Sequence, residues 1–265
     1  MPNATAIDAA AVGIFWYLAY SQALGLNPGI VEALILGMSI WLVYLGDRWL
    51  DVRVRHWVDM PTYRHRFVAR WRRTLFLFWI CILGLNVGLA FFQLTKPQLL
   101  AGLVVLSASI LYTVGIQKQL AWLIPKEGQI ALIFSAGIGL FFVGRPMPLG
   151  DVIDLGLGLA CFSLVCFANC GLIARWEVSI DEQLERRSIA RSIGDRANQL
   201  RVLAWIALIA CTISGMFFQP IWWLAIYTAL LLAVDRYRFP ANLEDRRALA
   251  DGLLALLGLL AWIFT

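Results

Sequence analysis

Two pairs of acidic residues with the same spacing are the part of this sequence best suited to chemistry. Asp47 and Asp51 close one long apolar run, and Glu177 and Asp181 close another. In a helix, residues i and i+4 lie on one face one turn apart, so each pair directs two carboxylates the same way. Mg²⁺ is usually held by one or two carboxylates, while substrate phosphates and water fill its remaining positions. The two pairs therefore predict one shared site for Mg²⁺ and a diphosphate, with these four residues as metal-binding and catalytic groups.

A simpler interpretation of the acidic pairs is neutralisation of nearby arginines at a membrane surface. Arg48 and Arg53 lie close to the first pair in sequence, and Arg175 and Arg186 lie close to the second. For a single pair we would prefer this interpretation. The repeated spacing at the ends of two separate apolar runs favours the shared site.

The composition indicates the class of protein that must position these acids. Hydrophobic residues make up 61% of the 265 residues and charged residues 15%, with a mean hydropathy of +0.75. This is more apolar material than a soluble core of that size can bury. We predict an all-α polytopic membrane bundle of about nine transmembrane helices that forms a single domain over residues 1–265. The apolar runs long enough to cross about 30 Å of hydrocarbon are 6–26, 29–46, 74–94, 98–116, 128–144, 150–174, 200–217, 220–235 and 249–264.

The basic residues test this segmentation. If nine helices alternate in direction, all of the 22 Lys and Arg residues except Lys96 and Arg145 fall on one side. The segments on that side are 47–73, 117–127, 175–201 and 235–248. Because cytoplasmic loops carry an excess of Lys and Arg, we expect an integral protein of a prokaryotic inner membrane. Its amino terminus and both acidic pairs should be cytoplasmic, and its carboxyl terminus should lie outside.

The acidic pairs and a few further segments resemble the UbiA-type intramembrane prenyltransferases. That family has nine helices and two Asp-rich motifs at the cytoplasmic ends of its helices 2 and 6, the first of the form Asn-Asp-x-x-Asp-x-x-x-Asp. The last two acidic positions of the first motif match Asp47 and Asp51, and the corresponding pair of the second matches Glu177 and Asp181. The segment 112–118, Tyr-Thr-Val-Gly-Ile-Gln-Lys, is similar to the Tyr-Ser...Lys segment after the family's helix 4.

The chain departs from the family pattern at the residues that precede each acidic pair. Val43-Tyr44 replaces the Asn-Asp that begins the first motif, and Ile173-Ala174 occupies the equivalent places before the second pair. Asn169 lies two turns before Glu177, close to the same helix face, where it could replace a lost ligand. An interhelical hydrogen bond is the alternative role for an asparagine at this position.

The resemblance implies Mg²⁺-dependent transfer of a prenyl group from an isoprenyl diphosphate to a lipophilic acceptor. The expected partners are these two substrates and the lipid bilayer, and no nucleic acid. The residues that we expect to contact the substrate are Tyr44, Arg64, Tyr112, Lys118 and Asn169. Arg64 lies in a blurred form of the family's Arg-Pro segment, and a guanidinium group can bind phosphate through two parallel hydrogen bonds.

Three other functions are compatible with these residues. A membrane terpene cyclase would use the same ionisation of a diphosphate without an outside acceptor. A UbiA-like scaffold or assembly partner without catalysis is favoured by the missing Asn-Asp positions. A transporter or lipid-binding protein would use the acids as an ion or proton site, for which proton-coupled flux in vesicles would be the evidence.

The charge distribution leads to a topological prediction. A reporter fused after Thr265 should be extracytoplasmic, and one inserted near Gln183 should be cytoplasmic, because the basic segments stay on the cytoplasmic side. Paired reporters that are active on opposite faces of the membrane measure this directly. Two reporters on the same side would contradict the count of nine helices.

Overall fold

The structure is a computed structural model that describes residues 5–52, 62–117, 125–183 and 188–265. Within these ranges the chain forms α-helices and short 3-10 turns and no β-strand, which confirms the all-α fold class. Each of the nine predicted apolar runs coincides with one helix. In chain order the helices are α1 (Ile7–Ala23), α2 (Ile30–Asp51), α3 (Tyr63–Arg70), α4 (Arg72–Gln93), α5 (Lys96–Gln117), α6 (Lys126–Gly139), α7 (Leu149–Trp176), α8 (Val178–Gln183), α9 (Ile189–Ile193), α10 (Leu200–Ser214), α11 (Pro220–Tyr237) and α12 (Leu243–Phe264).

Six of the described helices are long and apolar enough to cross a membrane, and the chain is an integral membrane protein. They are α2, α4, α5, α7, α12 and α10 with the turn before it. By contrast, α1 has 17 residues and α6 has 14, fewer than the roughly 20 that cross a bilayer core without distortion. The count of nine spans therefore stays a prediction.

The centre of the bundle is built around α1. Its Trp16 and Tyr20 are fully buried. The indole N–H of Trp16 donates to the carbonyl oxygen of Leu254 at 3.1 Å, and the hydroxyl of Tyr20 donates to that of Gly158 at 2.9 Å. A Cβ at Gly258 would meet Nε1 of Trp16 at 2.8 Å, so α12 can approach α1 this closely only through glycine. Aromatic residues with a polar atom thus join α1 to both α7 and α12.

One buried carboxylate joins three helices near the end of α7. Asp235 of α11 is 1% exposed and forms ion pairs with Arg175 of α7 and Arg201 of α10. The indole N–H of Trp176 donates to the same carboxylate at 2.7 Å. Because a buried carboxylate is costly unless it is paired, these contacts determine how the three helices meet.

Removal of this carboxylate should weaken the bundle. Asp235→Ala leaves Arg175 and Arg201 without their counterion and should lower the free energy of unfolding by about 3 kcal/mol, the low end for a buried pair, since Arg201 is partly exposed. Chemical unfolding of purified protein in detergent measures the change. Asp245→Asn, at an exposed carboxylate in the first turn of α12, is the control and should cost less than about 1 kcal/mol. Equal losses in the two variants would show that Asp235 has no special role.

Candidate functional site

One cavity at the ends of α2 and α7 contains both predicted acidic pairs. It has a volume of about 180 Å³, and Asp47, Asp51, Glu177 and Asp181 all line it. The structure therefore brings the two pairs to one space. Four of the predicted substrate-binding residues line the same cavity, namely Tyr44, Arg64, Tyr112 and Asn169. The fifth, Lys118, lies outside the described residues.

A single helix positions the first pair. α2 continues beyond the predicted end of its apolar run as far as Asp51, so Asp47 and Asp51 are one turn apart on one helix. Tyr44 lies one turn before Asp47, and its ring is 6.4 Å from that of Phe134 on α6, centroid to centroid. The last turns of α2 thus place two carboxylates beside an aromatic wall.

The second pair spans a break between two helices. α7 ends at Trp176 and α8 begins at Val178, so Glu177 is the residue at which the helix is interrupted. The N–H of Asp181 still donates to the carbonyl oxygen of Glu177 at 2.9 Å. One helical turn therefore connects the two acids although the helix itself does not continue.

The carboxylate of Glu177 is held by two guanidinium groups. Nη1 and Nη2 of Arg64 donate to its two oxygens at 3.2 and 2.9 Å, and Nη1 of Arg247 donates to Oε2 at 3.0 Å. The Glu177 side chain is 7% exposed and the Arg64 side chain 8%. Burial raises the pKa of Glu177, but the charges and hydrogen bonds of Arg247 and Arg64 outweigh it and lower that pKa to about 2. Glu177 is therefore ionised, and both of its oxygens accept hydrogen bonds from arginine.

Arg247 also forms an ion pair with a polar chain that crosses from α12 to α7. Its Nε is 3.7 Å from Oδ2 of Asp251, one turn further along α12. The other oxygen of Asp251 accepts a hydrogen bond from the side-chain amide of Asn169 at 3.2 Å. Asn169 therefore lines the cavity and also forms the interhelical hydrogen bond that was its alternative role.

Several charged residues of the cavity were not predicted from the sequence. Asp8, Arg247 and Asp251 all line it. Asp8 and Asp251 lie within the predicted spans 6–26 and 249–264, and an ionisable residue inside a span is a reason to expect a functional site. The position of these two aspartates inside apolar spans was therefore a sequence signal for the cavity. Arg247 lies in the basic segment 235–248, where its i, i+4 relation to Asp251 distinguishes it from its neighbours.

Two carboxylates of the cavity remain available to a metal ion. Within the described ranges neither Asp47 nor Asp181 forms an ion pair, in contrast to Glu177. No three described His, Cys, Asp or Glu side chains are grouped closely enough to hold a metal unaided. Mg²⁺ commonly needs only one or two carboxylates when phosphate oxygens and water complete its octahedron. The donor set therefore fits a Mg²⁺ that is bound together with a phosphorylated ligand.

Comparisons with known proteins identify the fold. No protein-family model matches the chain, and no curated protein sequence matches it. A solved structure that it resembles is the apo form of a UbiA homolog from Aeropyrum pernix K1, with 12% identity, a TM-score of 0.63 and coverage of 96% of each chain. Another is a UbiA homolog from Archaeoglobus fulgidus bound to DMAPP and Mg²⁺, with 13% identity, a TM-score of 0.60 and coverage of 98% of each chain. The UbiA fold indicated by the sequence motifs is confirmed over nearly the whole chain.

The ion pairs of Glu177 should give the protein a defined loss of stability in acid. The pKa of this carboxyl is about 2 in the folded protein, below its ordinary value of 4.5, so its stabilisation is complete above about pH 4.5 and is lost as the pH falls toward 2. Glu177→Gln removes this component, so the variant should lose less stability than the wild type over that interval. Thermal unfolding in detergent across the interval measures the difference.

Glu182→Gln is the matched control, because Glu182 is exposed and close in sequence. It should keep the acid profile of the wild type. If Glu177→Gln also kept that profile, the ion pairs would not contribute as described.

Proposed function

We propose that this UbiA-fold protein catalyses Mg²⁺-dependent transfer of a prenyl group from an isoprenyl diphosphate to a lipophilic acceptor within the membrane. The observation that carries the proposal is that Asp47, Asp51 and Asp181 share one cavity of a membrane protein with Arg64. Carboxylates for a hard cation and guanidinium groups for phosphate are the two components that a metal-bridged diphosphate requires. Further support comes from the Archaeoglobus fulgidus homolog, which binds the isoprenyl diphosphate DMAPP with Mg²⁺.

The acids have separate tasks in this proposal. Asp47 and Asp181 are not engaged in ion pairs within the described chain. Asp47 and Asp51, which are one helical turn apart, would hold one Mg²⁺ and Asp181 a second, with phosphate oxygens and water in the remaining positions. When bound, Mg²⁺ withdraws charge from the diphosphate and so favours its departure from the allylic carbon. Glu177, the fourth predicted metal ligand, accepts hydrogen bonds from Arg64 and Arg247 instead.

Basic residues would stabilise the departing diphosphate. Arg64 lines the cavity with a side chain that is only 8% exposed, and a guanidinium group in such surroundings binds phosphate oxygens more strongly than it would in water. Lys118 has the same role by the resemblance of segment 112–118. Tyr112 lines the cavity from that segment and is almost fully buried.

The apolar wall of the cavity suits the rest of the reaction. Val12, Ile130, Phe134 and Leu254 line it beside the charged groups. Such a wall accommodates an isoprenyl chain and keeps water from an allylic cation. The aromatic faces of Tyr44 and Phe134 favour positive charge in their vicinity. The lipophilic acceptor then attacks the allylic carbon, and without an acceptor the same ionisation would lead to terpene cyclisation.

The location of the reaction follows from the basic segments. We place the protein in a prokaryotic inner membrane with the cavity toward the cytoplasm, because the acidic pairs adjoin the segments richest in Lys and Arg. Water-soluble diphosphates would then reach the cavity from the cytoplasm, and lipophilic acceptors would enter from the bilayer.

A non-catalytic scaffold of the UbiA type is the second candidate. Two observations favour it: both oxygens of Glu177 already accept hydrogen bonds from Arg64 and Arg247, and Val43-Tyr44 stands where the family has Asn-Asp. A scaffold would keep the ion pairs for stability and bind neither Mg²⁺ nor diphosphate.

Ligand-dependent unfolding separates the two candidates. Saturating Mg²⁺ with geranylgeranyl diphosphate should raise the wild-type melting temperature, since a ligand at one hundred times its Kd stabilises by about 2.7 kcal/mol. Asp47→Asn and Asp181→Asn each remove a charged ligand with little change in volume and should abolish the shift. Their melting temperatures without ligand should match or exceed that of the wild type, because repulsion between carboxylates is relieved.

Asp154→Asn is the control for this experiment, because Asp154 lies on α7 but not among the residues that line the cavity, and it should keep the full shift. Incubation of purified protein with labelled prenyl diphosphates and a membrane extract then measures transfer itself. An unshifted wild-type melting temperature with several prenyl chain lengths would exclude the enzyme and leave the scaffold.

A further inference from the structure

Two guanidinium groups from distant parts of the chain converge on one buried carboxylate in the cavity. Arg64 belongs to α3 and Arg247 to α12, and both donate to Glu177 at the end of α7. Arg64 binds it through two parallel hydrogen bonds, the geometry in which a guanidinium group also binds phosphate. The position that Glu177 occupies is therefore a site for an oxyanion.

Asp251 contributes a second ion pair to Arg247, besides the one with Glu177. Nε of Arg247 faces Asp251 at 3.7 Å, and Asp251 is held in turn by the amide of Asn169 at 3.2 Å. The remaining donors of the guanidinium group are thereby directed into the cavity, which Arg247 lines.

A diphosphate competes with a carboxylate for the same donors. It carries more negative charge and more acceptor oxygens than a carboxylate, and hydrogen bonds between ions are stronger than those between neutral groups. A diphosphate bound to Arg64 and Arg247 would also repel an ionised Glu177 that is bound to the same two groups. The two anions therefore cannot both hold the guanidinium pair.

We propose that Arg247 binds the diphosphate together with Arg64, and that Glu177 is an internal anion that occupies this guanidinium pair until the diphosphate displaces it. The inference rests on the proposed function, because it concerns the same cavity and the same class of substrate. On this proposal, Glu177 competes with the diphosphate for the two arginines. If Glu177 were a metal ligand, it would instead favour binding of the diphosphate through Mg²⁺. In the empty cavity the carboxylate neutralises two arginines that would otherwise repel each other.

Titration of the purified full-length protein with inorganic diphosphate in the presence of Mg²⁺ tests the proposal. Glu177→Gln removes the competing anion and should tighten diphosphate binding several-fold. Arg247→Gln removes a charged donor and should weaken it about tenfold or more. Arg236→Gln removes the same charge from an exposed position outside the cavity and should leave the Kd unchanged.

The double variant Glu177→Gln/Arg247→Gln guards against misfolding of Glu177→Gln, because it removes one charge of each sign from the cavity. It should bind inorganic diphosphate more tightly than Arg247→Gln alone, since Arg64 is released from its carboxylate. Weaker binding on loss of Glu177, in either background, would assign Glu177 to the metal and overturn the proposal. The proposal would also fail if Arg247→Gln bound as the wild type does, or if no variant bound inorganic diphosphate.

The same variants distinguish failure of this inference from failure of the proposed function. If inorganic diphosphate gives the expected order but labelled prenyl diphosphates are neither bound nor consumed, the anion site stands and prenyl transfer is wrong. If prenyl transfer occurs but Glu177→Gln binds inorganic diphosphate more weakly than the wild type, prenyl transfer stands and the displacement of Glu177 is wrong.

Discussion

The pairing of buried charge is the constraint on which this structure depends. Three consecutive residues at the end of α7 meet charged partners: Arg175 and Trp176 contact Asp235, and Glu177 contacts Arg64 and Arg247. Each of these ions would cost several kcal/mol if it were buried alone. Through these pairs the end of α7 is joined to α3, α10, α11 and α12. The place of the second acidic pair is therefore determined by electrostatic partners as much as by apolar packing.

On the proposed mechanism, the binding of the diphosphate is coupled to the binding of Mg²⁺. A diphosphate that takes Arg64 and Arg247 leaves the Glu177 carboxylate without its counterions, in a cavity that Asp47 and Asp181 also line. A diphosphate bound there also supplies oxygen ligands to the Mg²⁺ that the aspartates of the cavity would hold, since phosphate oxygens complete the octahedron of this ion. On the proposed mechanism, binding of the diphosphate therefore raises the affinity of the cavity for Mg²⁺, and binding of Mg²⁺ raises that for the diphosphate by the same factor.

The sequence was sufficient for the nine long helices and for the place of each acidic pair at the end of one of them, because hydropathy and i, i+4 spacing are local signals. It missed α3, whose residues from Tyr63 to Arg70 are too polar to be recognised by hydropathy. It also missed the partners of Glu177. Arg64 and Arg247 are 113 and 70 residues away from it, and their approach depends on how α3 and α12 pack. Only the folded chain supplies that information.

The departures from the UbiA-type motif and the second arginine beside Glu177 both affect the balance of charge in the cavity. Val43-Tyr44 and Ile173-Ala174 make the membrane-proximal ends of both motifs apolar, and the Tyr44 ring packs against Phe134 there. A site with fewer acidic and amide ligands holds less divalent charge. On the proposed function, the negative charge of a diphosphate must then be balanced by other cations, and guanidinium groups have the geometry to do so. In a cavity with this composition, the apolar residues at the motif positions and the second arginine are therefore both consistent with the proposed function.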